Sequence, residues 1–249
     1  LEPRGPPKRD PLIWVDFVIL APIKKYNLNT IILTGCLGVF IILYGIITSS
    51  INYIGCSGEN YNVLNHFVSE LGQYKCSKKA KIFNLSLIFG TPFLIFYYLK
   101  IIPDSSKNIR VLFKWIISTI GLSAISIGIF SMDNTLIHVV SALLFFYLCF
   151  FSSLLFNIYF LFMKKQELPK HFVISGIFIS FTTLINIIQF HQLDVNMLVV
   201  LNNRPNILFV CIIEWICLLS MLLFFISSVI FFRKKVRNKY WVVHQKETH

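Results

Sequence analysis

The chain has 249 residues, of which 56% are hydrophobic and 14% are charged, and its mean hydropathy is +0.71. Soluble globular domains carry about 25% charged residues, so this composition excludes both an ordinary soluble domain and a disordered chain. It also excludes a nucleic-acid-binding module, although the net charge is +12. The sequence therefore predicts an integral membrane protein whose partners include membrane lipids.

The first segment of the chain, residues 1–29, contains an apolar stretch at 11–23 that is too short to span a bilayer. Asp16 and Pro22 interrupt this stretch, and Trp14 lies near its start. Tryptophan is enriched at the headgroup level of membranes, and short apolar segments commonly lie in that interface. We therefore interpret residues 1–29 as a cytoplasmic segment with an interfacial stretch.

Six later stretches are long enough to cross a bilayer, which takes about 20 apolar residues in a helix. They are apolar throughout and do not alternate between apolar and polar residues, which indicates helices and not the strands of a barrel. The expected spans are 30–48, 82–102, 111–130, 136–163, 172–190 and 207–232. The sequence thus predicts an all-α, polytopic membrane protein with a compact six-helix domain over residues 30–232, an outer loop at 51–81 and a basic tail at 233–249.

The basic residues predict the orientation of this bundle. If the amino terminus is cytoplasmic, 18 of the 23 Lys and Arg residues lie in cytoplasmic segments. The other five lie outside, namely Lys75, Lys78, Lys79, Lys81 and Arg204. The positive-inside rule therefore predicts that both termini are cytoplasmic. A cluster in the tail is expected to contact anionic lipid headgroups: Arg233, Lys234, Lys235, Arg237 and Lys239.

Two of the six cysteines, Cys56 and Cys76, fall in the expected outer loop, and the other four fall within spans. On an oxidising side of the membrane the two loop cysteines could form a disulfide. The sequence leaves both the bonded and the free state open. A metal site at this pair is disfavoured because neither residue has a close Cys or His neighbour in the sequence.

Acidic residues are scarce within the spans, and Glu214 is the only one well inside a span. A charge there costs at least about 2.5 kcal/mol, so Glu214 is expected to be paired, protonated or in contact with a wet cavity. Antiparallel spans would bring several further polar residues to the same outer depth. The resulting candidate outer polar pocket comprises Ser69, Glu70, Asp133, His138, Gln189, His191 and Glu214.

Counting His66 as well, three histidines and three acids would lie at this depth, and such a set could ligate a metal or act in acid–base catalysis. A plainer alternative is that these side chains join loops to helix ends through hydrogen bonds. No hydrolase or phosphate-loop motif occurs in the sequence. We therefore assign no metal or cofactor, and whether the protein is an enzyme stays open.

Two short motifs carry a family resemblance. The stretch Asn65-His66-Phe67-Val68-Ser69-Glu70-Leu71-Gly72 precedes Phe83-Asn84, and Gly128-Ile129-Phe130 with Asp133 precedes His138, Ala142 and Phe145. These motifs resemble those of an uncharacterised prokaryotic family of six-helix membrane proteins. Their layout is also similar to that of the DRAM-like membrane proteins, some of which are associated with lipid remodelling, lipid asymmetry and autophagy. Over residues 30–232, the resemblance implies motif roles for Ser69, Glu70, Asn84, Asp133 and His138.

Two functional hypotheses follow. In the first, the outward-facing pocket binds a lipid headgroup, and a stronger form of this hypothesis adds remodelling of that lipid. In the second, the protein is a non-catalytic subunit or scaffold whose aromatic helix faces bind another membrane protein. A channel or carrier is the least favoured alternative, because the spans lack repeated charges and paired broken helices.

Overall fold

The computed structural model of the chain describes residues 28–102, 106–162, 170–192 and 204–247, with side chains described as far as Tyr159 in the fourth helix and Lys234 in the sixth. Six long helices make up most of these residues. They are α1 (Leu28–Ile51), α2 (Ala80–Ile101), α3 (Lys107–Ile129), α4 (Thr135–Phe162), α5 (Lys170–Gln192) and α6 (Phe209–Glu247). No strand occurs in the described part of the chain.

All six helices are long and apolar enough to cross a membrane, so the protein is an integral, multi-pass membrane protein. Their sequences are rich in Ile and Phe, which favour strands in water. In hydrocarbon, helices form because each backbone polar group must find a partner within its own segment. The helix ends agree with the expected spans to within a few residues, with one exception. Helix α6 continues through Glu247, well past the expected end of the sixth span at residue 232.

Each helix packs against the next in chain order, and α6 also contacts α1 and α2. Ile31 and Ile32 of α1 form a buried cluster with Tyr97 of α2 and with Phe225 and Phe232 of α6. The helices therefore surround a common interior.

Helices α1 and α2 approach each other closely at two glycines. A Cβ atom placed on Gly38 would lie 2.7 Å from the carbonyl oxygen of Gly90, and a Cβ on Gly90 would lie 2.9 Å from the carbonyl oxygen of Gly38. Both distances are shorter than an ordinary carbon–oxygen contact. Small residues are thus required here, as is typical where membrane helices pack backbone to backbone.

Helices α1 and α2 are joined by residues 52–79, and the end of the bundle that carries this connection is called the loop face below. The connection contains one short 3₁₀ helix, Val68–Gly72, and a disulfide between Cys56 and Cys76. The sequence left both the bonded and the free state open, and the structure contains the disulfide. The disulfide closes a loop over nearly the whole connection, which limits the positions that residues 57–75 can adopt.

Some expected features lie outside the described residues. They include the interfacial stretch at 11–23 with Trp14, and the segment 1–27 as a whole. In the tail, the Arg233 and Lys234 side chains are described and exposed, whereas those of Lys235, Arg237 and Lys239 lie beyond the described side chains.

Candidate functional site

Residues 65–72 lie across the loop face of the bundle, and this stretch is called the cover segment. Hydrogen bonds at its two ends join it to two distant parts of the chain. The Leu64 carbonyl just before it accepts a hydrogen bond from the Leu208 amide at 2.8 Å. At its end, the Asn84 amide nitrogen of α2 donates to the Gly72 carbonyl at 2.9 Å. The cover segment is therefore held by side chains and backbone groups that are far apart in the sequence.

Glu70 is the central anchor of the cover segment, and it is buried with only 1% of its surface exposed. Its two carboxylate oxygens accept hydrogen bonds from Arg204 Nη1 at 3.0 Å and Arg204 Nη2 at 2.6 Å. The Phe67 amide also donates to Oε1 at 2.9 Å, and the Tyr53 hydroxyl lies 3.4 Å from Oε2. A two-pronged arginine pair of this kind satisfies both carboxylate oxygens at once, as burial of the charge requires.

The charge of Arg204 is maintained by this pairing. Burial by itself lowers the pKa of Arg204, but the hydrogen bonds and negative charge of Glu70 outweigh burial, so the pKa is raised. Arg204 Nη1 also donates to the Asn65 carbonyl at 2.8 Å. Arg204 thus joins the segment before α6 to both Asn65 and Glu70 of the cover segment.

Glu214, in the second turn of α6, holds the same cover segment from below. Its Oε2 atom accepts a hydrogen bond from the Val68 amide at 2.8 Å. The amide is one of those that the short 3₁₀ helix leaves without a partner at its start. This hydrogen bond therefore offsets part of the free-energy cost of placing the Glu214 carboxyl group inside a span.

Asp133 lies between α3 and α4 and contacts the connection just after the cover segment. Its Oδ2 atom accepts hydrogen bonds from the Tyr74 amide at 2.7 Å and from the Ser131 hydroxyl at 2.9 Å. These contacts join the α3–α4 turn to residues 73–79. Asp133 is thus a linking residue of the loop face in this structure.

His66 is 2% exposed and belongs to a second cluster on the loop face. Its Nδ1 atom lies 2.7 Å from Asn65 Oδ1, and its Nε2 atom lies 3.8 Å from Glu59 Oε1. The rings of Tyr53 and Tyr61 pack against it. Burial lowers the pKa of His66, more than the nearby carboxylates raise it. The imidazole therefore favours its neutral form near neutral pH.

Beneath the cover segment, the loop-face half of the bundle encloses a cavity of about 510 Å³. This volume lies within the range of small-molecule sites, which are about 300–1,000 Å³. Four of the lining residues are polar, namely Ser69, Thr135, His138 and Glu214. The others are apolar: Phe67, Val68, Phe83, Leu87, Ala124, Ile127, Met132, Leu136, Val139, Ala142, Phe145, Phe146, Phe190, Leu218 and Met221.

The cavity is bounded on two sides. Phe67, Val68 and Ser69 of the cover segment line it at the loop face. Toward the other end of the bundle, aromatic rings of α4, α5 and α6 fill the interior, with Phe172 contacting both Phe156 and Phe224. At the start of α4, Leu136 lines the cavity although it is 77% exposed. The cavity therefore reaches the outer surface of the bundle beside Leu136.

The predicted pocket residues fall into three groups in this structure. Ser69, His138 and Glu214 line the cavity. Glu70 and Asp133 instead hold the loop face together through the contacts described above. Gln189 and His191, in the last turn of α5, are not among the lining residues, and His191 Nε2 lies 2.7 Å from the Tyr147 hydroxyl on the exposed side of the bundle.

The character of the cavity also differs from the predicted polar pocket. The polar residues do lie at one end of the bundle. Both oxygens of Glu70 and one oxygen each of Asp133 and Glu214 accept hydrogen bonds from backbone amides or from Arg204, and apolar side chains line most of the cavity. Among the described residues, no three His, Cys, Asp or Glu side chains come together as a metal site would require.

Sequence reasoning placed Arg204 on the outer side but did not include it in the site. Its position in the sequence could have indicated such a role. Arg204 is the only Lys or Arg between Lys170 and Arg233, and it directly precedes the span that carries Glu214. A lone arginine next to a helix that contains a buried acid is a reasonable partner for another buried acid nearby. Which acid it meets could not be read from the sequence.

Comparison with known protein families provides an assignment. Residues 36–177, more than half of the chain, match the family described as protein of unknown function DUF998. The chain belongs to the DUF998 family. No curated protein and no solved structure matches it. The predicted resemblance to a family of six-helix membrane proteins of unknown function is thereby confirmed.

The region matched to the DUF998 family runs from α1 into the first turns of α5. It contains the cover segment, Asn84, Asp133 and His138, which are the motif positions that the resemblance implied. Arg204 and Glu214 lie beyond its end. The DUF998 match thus includes the cover segment and the α3–α4 turn, whereas two of the side chains that hold the cover segment come from outside it.

Proposed function

We propose that this DUF998 protein binds an amphipathic lipid, with the hydrocarbon chain in the cavity and the polar end beneath the cover segment. The observation that carries this proposal is the composition of the cavity lining. Apolar side chains form most of it, and its few polar atoms toward the loop face come from Ser69, Thr135, His138 and Glu214. A mostly apolar cavity with a few convergent polar groups is the common form of small-molecule sites.

The lateral opening beside Leu136 supports a lipid in preference to a water-soluble ligand. Leu136 and the neighbouring residues of α4 lie on the lipid-facing surface of the bundle, so a chain could enter from the membrane without crossing water. The aromatic packing of Phe172 with Phe156 and Phe224 beyond the cavity is unfavourable for a continuous pore. The proposal includes binding, and remodelling of the bound lipid would be a further step.

The test is to fill the cavity. Ala142 of α4 lines it and is 9% exposed, whereas Val140, two residues earlier on the same helix, is 58% exposed to the membrane. We expect Ala142→Phe to lower the amount of lipid that remains bound after purification in mild detergent. Val140→Phe, which adds bulk on the outer surface, should leave it unchanged.

Lipid extraction and mass spectrometry of both purified variants measure the outcome. Equal lipid content in the two variants would contradict the proposal. A membrane protein that copurifies in fixed stoichiometry, with no bound lipid in the unaltered chain, would favour the alternative of a scaffold.

We also propose that the loop face is extracytoplasmic and that both termini are cytoplasmic. The disulfide supports this orientation, because disulfides persist on oxidising sides of membranes. The distribution of Lys and Arg supports it independently. In intact cells, a membrane-impermeant maleimide should label Asn60→Cys, which is exposed in the disulfide loop, and not Lys107→Cys, which is exposed at the other end of the bundle. The reverse labelling would contradict this orientation.

A further inference from the structure

The polar atoms that remain free in the cavity are mainly hydrogen-bond acceptors. Glu214 uses Oε2 to accept from the Val68 amide, and its Oε1 atom has no hydrogen-bond partner among the described residues. Because Glu214 lines the cavity and is only partly buried, this second oxygen is available to a ligand. An oxygen of this carboxyl group can accept a hydrogen bond from a ligand.

His138 provides a second acceptor. Its Nδ1 atom lies 2.8 Å from the Phe130 carbonyl, and because a carbonyl can only accept, Nδ1 must carry the proton of this bond. In the neutral imidazole the other nitrogen, Nε2, then has a free lone pair. His138 is otherwise buried among the residues that line the cavity, so Nε2 is the atom that a ligand could meet.

The two hydroxyl groups of the cavity add little donor capacity. The Ser69 hydroxyl lies 3.8 Å from the Met132 sulfur, and the Thr135 hydroxyl donates to the Met132 carbonyl at 3.2 Å. Both oxygens keep lone pairs that can accept. The free polar atoms near the cover segment thus favour a ligand that brings its own N–H or O–H groups.

No Lys or Arg side chain is among the lining residues in the described part of the chain. Arg204, which holds the cover segment, directs its two terminal nitrogens to Glu70 and to the Asn65 carbonyl. A negatively charged ligand would therefore lose its hydration in the cavity without gaining a cation there. Burial of an unpaired charge is among the most unfavourable events in binding.

Resting on the proposed function, we propose that the cavity selects amphiphiles whose polar end donates hydrogen bonds and carries no negative charge. The chemical class is a single apolar chain with a neutral hydroxyl-bearing head, as in a monoacylglycerol or a long-chain alcohol. Specificity in this form comes from rejection as well as attraction, because the lining offers acceptors to a hydroxyl group and offers no cation to a carboxylate.

Monoolein and oleate test the proposal, because they share one hydrocarbon chain and differ at the polar end. Equilibrium binding of each is measured with the delipidated full-length protein near neutral pH. We expect monoolein to bind at least about tenfold more tightly than oleate, which corresponds to about 1.4 kcal/mol. Leu136→Lys, which adds a cation at a residue that lines the cavity, should reduce this ratio several-fold through tighter binding of oleate. Leu136 is 77% exposed, so the longer side chain can be placed without repacking the bundle.

Ile137→Lys is the matched control. It adds the same charge at the next residue of the same helix, but Ile137 is exposed and does not line the cavity. The binding ratio should stay at the value of the unaltered protein. Equal changes in the two variants would overturn the assignment of selectivity to the cavity lining.

The two proposals fail in distinguishable ways. If oleate binds as tightly as monoolein or more tightly, the selectivity proposal is wrong and the cavity still binds an amphiphile. If neither ligand binds, both proposals are wrong.

Discussion

Glu70 and Arg204 form the pair on which the loop face depends most. Glu70 is almost fully buried, and Arg204 has 14% of its side chain exposed. Removing one member of such a pair leaves the other charge buried without a partner, which typically costs about 3–5 kcal/mol. Because the two residues are separated by 134 positions in the sequence, their pair also joins distant parts of the chain.

We therefore expect Arg204→Met to lower the free energy of unfolding by about 3 kcal/mol. Lys81→Met removes one positive charge from an exposed position on the same face and should change stability little. Thermal unfolding in detergent measures both variants. The role of the pair would be disproved by equal melting temperatures for the two.

His66 should make the loop face sensitive to acid. Burial lowers its pKa in the folded protein below that of the unfolded chain, which is about 6.5. The folded state then binds fewer protons than the unfolded state over the interval between the two pKa values. Its contribution to stability is complete above about pH 6.5 and is lost as the pH falls through the lower, folded pKa.

The groups that face His66 are Glu59, Glu70, Arg204, Tyr53 and Tyr61. We expect the melting temperature to fall between about pH 7.5 and about pH 5.5, and to fall less in His66→Gln, which cannot gain a proton. Melting temperatures of both proteins across this range provide the measurement. An identical pH dependence would mean that His66 is not the responsible group.

At the scale of elements, the connection between α1 and α2 depends on its disulfide. Cys56 and Cys76 are separated by 20 positions, and closing a loop of this length stabilises a folded protein by about 3 kcal/mol. We expect the double variant Cys56→Ser with Cys76→Ser to unfold at a lower temperature than the unaltered protein. Reductant should lower the melting temperature of the unaltered protein alone. If full reduction left that temperature unchanged, the disulfide would not be a stabilising element.

The contact between α1 and α2 is a second element-scale feature. At Gly38, the nearest atom to an added Cβ is the Gly90 carbonyl oxygen, which belongs to backbone and cannot move like a flexible side chain. We expect Gly38→Ala to destabilise the protein by about 1–3 kcal/mol by pushing the helices apart. Leu33→Phe, which adds bulk at a position 69% exposed to the membrane, is the control. Comparable melting temperatures would contradict close packing at Gly38.

The helices could be predicted well from the sequence because a bilayer imposes a simple requirement of length and hydrophobicity. The end of α6 could not, since charged residues such as Arg233 and Lys234 continue a helix in water as readily as they end a span. The candidate site was predicted in part. Ser69, His138 and Glu214 meet at one cavity because antiparallel helices fix their depth.

The remaining contacts depend on how each helix is rotated about its axis and on which side chains pair. The depth of a residue in the membrane specifies neither. His191 and Glu214 were placed at one level, yet His191 faces Tyr147 on the outer side of the bundle. Likewise, the pairing of Glu70 with Arg204, and not with His66 four residues away, follows from how the segment before α6 crosses the cover segment. Such contacts between distant segments arise only once the bundle has assembled.

At the scale of the whole molecule, the six helices, the cover segment and the disulfide together form a container in the membrane. The aromatic rings of α4, α5 and α6 close one end, the cover segment closes the other, and the cavity opens at the side of the bundle beside Leu136. The anchors of the cover segment are charged, and the cavity beneath it is apolar. This division separates the groups that hold the fold from the surface that would hold a ligand.

The central claim is that a lipid chain occupies this cavity, and an experimental density map of the protein in a lipid nanodisc tests it most directly. We predict an elongated density among Phe145, Phe146 and Leu218 that ends within hydrogen-bonding distance of Glu214 or His138. A map that resolves these side chains and shows the cavity collapsed, or filled only by separate water molecules, would contradict the account.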